Sequence, residues 1–509
     1  MSEEQKDIQS KPAETNETSS YRSIFKATSL FGGVQIFQIL ILVVRSKFVA
    51  ILLGPSGMGL SGLYSSTIAL VQSLTSFGIA QSAVRNISHA NNTGDATRTS
   101  LVIAVVRRLV WITGFLGLLV LALFSPLFSK TTFGDYQHII PLICLSVVLL
   151  LYQLRMSENT VMQGLRRLKD LATVSLLSSI AGLLISVPLY YLWGTKGIVP
   201  AIIVDAIVTY LITRFFSRKN KLENVVPSRE LFRSEGRSIV TMGLALSIGG
   251  LLSVVVSYIM RSSVNAIGGL SEVGLYSAGF AILNTYVGMV FTAMGTDFYP
   301  RLAAVNDDNE KCSKLINQQG ETALLILGPL LLLCLVFLPF IILLIYSTEF
   351  LPVVDYVVYA LIGIILKASS WVIAFVFIAK AEKKLYIILE IIASCVSLLL
   401  SISGYYLLGL KGLGIGFTLS RVVYLIIVFC IAHKRYGFVF SREFRVVFLV
   451  QFGLVLSGTL CVLFFDGWIK YVVGICIISI SAVYSIIGLD KRMKLLDAVK
   501  QFINQKRKK

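Results

Sequence analysis

A chain of 509 residues that is 56% hydrophobic and only 14% charged cannot clothe a water-facing surface, because average soluble domains carry roughly 25% charged residues. Its 46 Lys and Arg against 27 Asp and Glu leave a net charge of +19, which in a soluble protein would point to nucleic acid. In a polytopic membrane protein the same excess sits in cytoplasmic loops and sets orientation, so composition excludes a soluble enzyme and gives no reason for a nucleic-acid partner.

In chain order, residues 1–23 form a polar tail with neither a basic n-region nor an early apolar run, so it does not read as a cleaved signal peptide. A crossing helix needs about 20 apolar residues. Apolar runs between polar or Gly/Pro punctuation predict spans over 24–52, 61–84, 101–128, 137–160, 171–193 and 198–216, an N-lobe within 24–217. A cytoplasmic linker, 218–237, precedes a C-lobe within 238–434, with spans over 238–262, 274–298, 321–346, 353–380, 385–408 and 412–433. Spans over 444–465 and 469–488 make a final pair in 444–488, and 489–509 is a basic cytoplasmic tail. The expected fold is all-α and polytopic, with about fourteen transmembrane helices.

With the N-terminus inside, the inner segments hold 35 Lys and Arg. The outer turns hold only Lys130, Lys196, Lys411 and Lys470. That asymmetry places both termini in the cytoplasm.

The chain also repeats itself. Tyr190-Tyr191-Leu192-Trp193-Gly194-Thr195-Lys196-Gly197 returns as Tyr405-Tyr406-Leu407-Leu408-Gly409-Leu410-Lys411-Gly412, matching at six of eight positions with an offset of 215. Ser56, Gly59 and Leu60 match Ser271, Gly274 and Leu275 in the same register, as Lys169 does Lys384. Six spans per repeat is an even number, so both halves enter the bilayer from one side. Two parallel six-helix lobes with a V-shaped central cavity are the expected plan, one used by transporters.

An ionisable group at the centre of a span costs about 2.5–3.5 kcal/mol and normally faces a wet cavity or a partner. Beyond those assigned to inner segments and outer turns, seven basic residues are read as lying within spans: Arg45, Lys47, Arg107, Arg108, Arg261, Lys367 and Arg421. Arg45 precedes Gly54 by nine residues and Arg261 precedes Gly269 by eight, so both lie roughly 12–13 Å inside an outer turn. Arg45, Lys47, Arg261, Lys367 and Arg421 are the candidate substrate-binding cations, lining a cleft suited to phosphate. Arg107 and Arg108 read as snorkelling groups near the inner interface. Asp205 and Glu390 are candidates for ion coupling, or for structural pairs with Lys367.

Other patterns carry no chemistry. Gly57-Met58-Gly59-Leu60-Ser61-Gly62 spells GxGxxG, yet it joins two membrane helices rather than opening a βαβ unit. No Gly-Lys dipeptide exists for a Walker A loop. Seven cysteines without a CxxC pair and three scattered histidines suggest neither disulfides nor a metal. The acidic run Asn306–Glu310 reads as a solvated turn. No cofactor and no catalytic residue is expected.

The run from Arg45 through Lys47 and Gly54-Pro55-Ser56-Gly57-Met58-Gly59-Leu60 resembles the first-helix signature of O-antigen and related polysaccharide flippases. These belong to the multidrug/oligosaccharidyl-lipid/polysaccharide exporter superfamily, and the lobes and final helix pair are similar to theirs. The resemblance implies that an undecaprenyl-diphosphate-linked oligosaccharide crosses the bacterial inner membrane by alternating access, beside membrane lipid and polysaccharide polymerase machinery. Two rivals stand against it. An ion-coupled drug or metabolite exporter of the same superfamily would need more intramembrane carboxylates. A glycan polymerase or ligase would need a larger outer loop than any here.

Overall fold

The computed structural model describes residues 13–218 and 225–493. Parts of the polar tail, linker and basic tail therefore lie outside the described residues. Every regular element among those described is helical. In chain order these are α1 (Ala13–Thr75), α2 (Ile79–Asn92), α3 (Ala96–Leu123), α4 (Ser125–Phe128), α5 (Ile139–Gly164), α6 (Leu168–Trp193) and α7 (Ile198–Ser217). They continue as α8 (Arg229–Ala281), α9 (Gly288–Ala303), α10 (Asn309–Val336), α11 (Leu338–Ile345), α12 (Val353–Ala379), α13 (Lys383–Tyr436), α14 (Arg442–Phe464) and α15 (Gly467–Met493).

Among the described residues, ten helical stretches are long and apolar enough to cross a membrane, against the fourteen counted in the sequence. The difference lies in four long stretches: Phe37–Thr75, Leu168–Ser217, Arg229–Ala303 and Lys383–Tyr436. Each contains a glycine with positive φ that breaks the helix: Gly54, Gly194, Gly269 and Gly409. Hydropathy reads the break as a gap between spans, whereas the backbone resumes helical geometry almost at once.

These breaks sit in the register of the repeat. Gly54 (φ 62°, ψ −172°) and Gly269 (φ 80°, ψ −177°) are 215 residues apart. So are Gly194 (φ 54°, ψ −133°) and Gly409 (φ 60°, ψ −140°). Such left-handed backbone is inexpensive for glycine alone. Arg166 (φ 56°) and Ala381 (φ 57°) hold a third matched pair of left-handed positions without that exemption. The duplication is thus one of backbone conformation as well as of letters.

The repeated Lys-Gly ending has a packing reason. A Cβ on Gly197 would overlap the carbonyl oxygen of Leu189, and one on Gly412 would overlap that of Gly404. In both repeats the chain doubles back there so tightly that backbone meets backbone. The GxGxxG run behaves similarly: a Cβ on Gly59 would overlap the Leu270 carbonyl, and one on Gly274 the Pro55 carbonyl. These glycines serve helix packing.

Helix starts are set by side-chain caps that hydropathy does not see. Asp95 accepts the Arg98 amide at 2.9 Å to open α3. Asp308 accepts the amides of Glu310 and Lys311, both at 3.0 Å, to open α10. These caps start α3 and α10 ahead of the predicted spans at 101 and 321, because polar residues extend a helix once its first amides are satisfied. The amide of Lys311, and its side chain, hold the Asp308 carboxyl below its usual range.

The described residues fall into two compact units, one of residues up to Leu53 with Thr67–Leu251, the other of Gly54–Ser66 with residues from Leu252 onward. In the first, Ile79, Ala83 and Ile87 of α2 pack with Val102, Val106 and Val110 of α3 and Val161 of α5. In the second, Phe298 of α9, Ile316 of α10, Phe377 of α12 and Val428 of α13 share a core. Gln451 of α14 is fully buried and bonded to Ser485 and Ser481 of α15 at 2.8 and 2.7 Å.

Candidate functional site

In the first unit, α6 and α7 run back to back, and Gly182 leaves a gap in their seam. A Cβ built there would stand 3.0 Å from both Arg45 Nη1 and Asp205 Oδ1. The absent side chain lets a guanidinium and a carboxylate share one small space. Tyr190, from the repeated Tyr-Tyr pair, lies within hydrogen-bonding reach of Arg45. Arg155 of α5 also approaches Asp205 and stacks over Tyr152, 5.3 Å from the ring centroid. Lys47 is half-buried, two residues along α1 from Arg45.

Arg155 falls inside the predicted span 137–160 but is counted there with the adjoining inner segment, so it is not among the candidate cations. Its position one turn from Tyr152 was visible in sequence, but its closeness to Asp205 depends on how α5 and α7 pack.

Glu158, also on α5, is likewise missing from the sequence reading, and it is the most thoroughly paired carboxylate of this unit. It is buried and accepts from Arg107 at 2.9 Å, from Arg214 and from Ser217. Arg107 therefore ties α3 to α5 rather than snorkelling alone. Arg108 stacks over Phe232 at 5.3 Å.

In the second unit, Arg261 donates to Ser257 and, at 3.4 Å, to Ser277. Its guanidinium carbon lies 5.6 Å from the Phe280 ring and 6.0 Å from that of Tyr276. Tyr276 is 5.9 Å from Tyr356 by ring centroids, and Tyr356 feels the charge of both Arg261 and Arg421. Arg421 stacks over Phe417 at 4.7 Å, and its buried Nε makes no hydrogen bond within the described residues. Lys367 also lies within the field of Arg421, with Nζ 5.2 Å from the Phe291 ring. Three of the expected cations thus join one aromatic-lined network.

Within the second unit, Lys367 makes no ion pair with Glu390 among the described residues. Glu390 instead accepts from Tyr424 at 3.5 Å and neighbours Arg421. Tyr405, the counterpart of Tyr190, donates to Glu272 at 3.2 Å, so equivalent tyrosines serve a cation in one unit and a carboxylate in the other. A cavity of about 1030 Å³ lies among α9, α10, α14 and α15. Four of its eight charged lining residues are ion-paired: Arg301 with Asp297 at 3.1 Å and Arg492 with Glu321 at 2.7 Å. Among the described residues no cluster of His, Cys, Asp and Glu could hold a metal ion.

Chemically, each unit holds positive charge among aromatic faces and hydroxyls, with fewer carboxylates than cations. Such a surface can hold an anion by charge-assisted hydrogen bonds.

Comparison with known proteins bears on what such a scaffold does. A family model described as "Polysaccharide biosynthesis protein" matches residues 48–355. A lipid III flippase of Escherichia coli (strain K12) is 24% identical over 361 residues, covering 68% of this chain and 82% of the relative. One from Shigella flexneri matches to the same extent. Among solved structures, the lipid II flippase MurJ in an inward closed conformation aligns with a TM-score of 0.65 at 14% identity, over 92% of this chain and 99% of that one. An inward-facing multidrug resistance MATE family transporter of the MOP superfamily also gives 0.65, at 18% identity over 79% and 94%. At these identities the solved structures speak for the fold.

Proposed function

The chain belongs to the polysaccharide biosynthesis protein family, and from that premise we propose that it is a flippase for an undecaprenyl-diphosphate-linked oligosaccharide, an O-antigen or related repeat unit. It works in the bacterial inner membrane with both termini cytoplasmic, cycling between states open to either face. The observation that carries this reading is intramembrane cation chemistry that nearby carboxylates do not fully satisfy: Glu390 neighbours Arg421 without bonding its Nε, and among the described residues no carboxylate forms an ion pair with Lys367. Arg421 keeps a buried Nε without a hydrogen bond, and Lys367 has an aromatic ring as its neighbour. A diphosphate supplies the missing acceptors, and arginine's planar fork suits its oxygens. The similarity to lipid III flippases supports the same cargo class. Arg261 joins Arg421 and Lys367 in the second unit, Arg45 and Lys47 are the proposed substrate-binding cations of the first, and Asp205 and Glu390 are the groups through which an ion gradient would couple.

The test is export in bacteria that lack their own flippase but make the lipid-linked glycan. Wild-type protein restores surface polysaccharide. Drug resistance without restoration would instead establish the ion-coupled exporter, and glycan extension by the purified protein would establish a polymerase.

A further inference from the structure

One turn along α12 from Lys367, α9 and α12 border a shallow, open groove of about 500 Å³. Its α12 wall presents Trp371 and Phe375, one turn apart, with ring centroids 5.0 Å apart and planes at 79°. Phe291 closes one end, 5.4 Å from Trp371, and Tyr299 the other, 6.2 Å from Phe375. Thr292 and Thr296 line the α9 side. Gly295 makes the groove's floor: a Cβ there would stand 3.3 Å from Trp371 and 3.5 Å from Phe375.

Trp371 and Phe375 pack against Phe298 of the core, 6.1 and 5.5 Å between ring centroids, yet that packing leaves part of both rings open. Tyr299 is exposed, Thr292 and Thr296 are exposed, and Trp371 and Phe375 are only half-buried. The Thr292 and Thr296 hydroxyls donate to the carbonyls of Gly288 and Thr292 at 3.4 and 2.9 Å, which leaves their oxygens to accept from a ligand, while an ammonium 5.2 Å from the Phe291 ring repels a cationic drug. The combination fits one chemistry. A pyranose offers a face of slightly positive C–H bonds to an aromatic ring's negative face, and its rim of hydroxyls pairs with Thr and Tyr. The ring nearest the ammonium is also a wall of the groove, so the sugar's anionic substituent is directly attached to it.

Resting on the flippase reading above, we infer that the groove walled by Trp371, Phe375, Phe291 and Tyr299 binds the first sugar of the lipid-linked glycan, with its phosphate at Lys367. The site selects for a glycosylated lipid over the bare carrier.

The full-length protein in nanodiscs is titrated with undecaprenyl diphosphate and with the same lipid bearing one N-acetylhexosamine. Wild type binds the glycosylated probe about tenfold more tightly, and Trp371→Leu brings the ratio of affinities to about one. Lys367→Gln weakens both probes and keeps the ratio. Should Trp371→Leu fail to fold, as read by early reactivity of the buried cysteines, Tyr299→Ala combined with Phe375→Leu gives the same readout. A wild-type ratio near one, or a ratio retained in the groove variants, overturns the inference alone. Binding of neither probe to wild type overturns the flippase reading and the inference with it.

Discussion

Gly404 and Gly412 touch across the turn within α13 so closely that a Cβ on either would overlap the other's carbonyl oxygen. Gly412→Ala is therefore expected to force the hairpin apart, at a cost of about 1–3 kcal/mol for overpacking. Thermal unfolding of the solubilised protein, followed by labelling of buried Cys312, Cys334 and Cys461, measures this directly. Gly437→Ala is the comparison, because no neighbouring atom would meet its Cβ, although its φ of 67° strains any side chain. An unfolding temperature for Gly412→Ala equal to wild type would mean the close approach is absent.

Glu158→Gln removes the negative charge shared by Arg107 and Arg214. Breaking a buried pair costs about 3–5 kcal/mol, and the two arginines, each about a third exposed, reduce that to about 2–4 kcal/mol. The same cysteine-labelling assay should show a lower unfolding temperature. A change of less than about 1 kcal/mol would indicate that water already solvates these guanidinium groups.

Arg45→Ala and Arg261→Ala should each abolish glycan export while leaving membrane insertion intact, with the lysine replacements milder because charge survives without the bidentate fork. Export and insertion are scored in the same cells. Normal export by both alanine variants would refute the cationic mechanism, whatever the cargo.

Gln451→Leu tests polar attachment between α14 and α15. Interhelical hydrogen bonds in membranes average about 0.6 kcal/mol and reach about 1.7, so the variant should lose about 1 kcal/mol and remain folded. Because Gln451 bonds to Ser481 and Ser485, the double variant Ser481→Ala/Ser485→Ala should add little to it. Strict additivity in the combined variant would show that the three residues do not form one network.

Each helix-breaking glycine was visible in the sequence as punctuation, since glycine is the residue that accepts left-handed backbone without a Cβ clash. Arg166 and Ala381 were not, because their residue types disfavour that conformation and only the surrounding packing imposes it. The candidate cations were equally legible, as charge in an apolar run is rare enough to stand out. Their partners were not: Asp205 meets Arg155, and Glu158 meets Arg107 and Arg214, across separate helices whose rotation no hydropathy pattern states.

The sequence by itself determined that this chain is helical, membrane-embedded, duplicated and cationic within its spans, because apolar length, internal register and charge are one-dimensional properties. Only the tertiary structure decided which charge meets which carboxylate or ring, and that Gly295 opens an aromatic groove beside Lys367. Those outcomes depend on distances of 3–6 Å between helices, and such distances are set when the helix faces pack together.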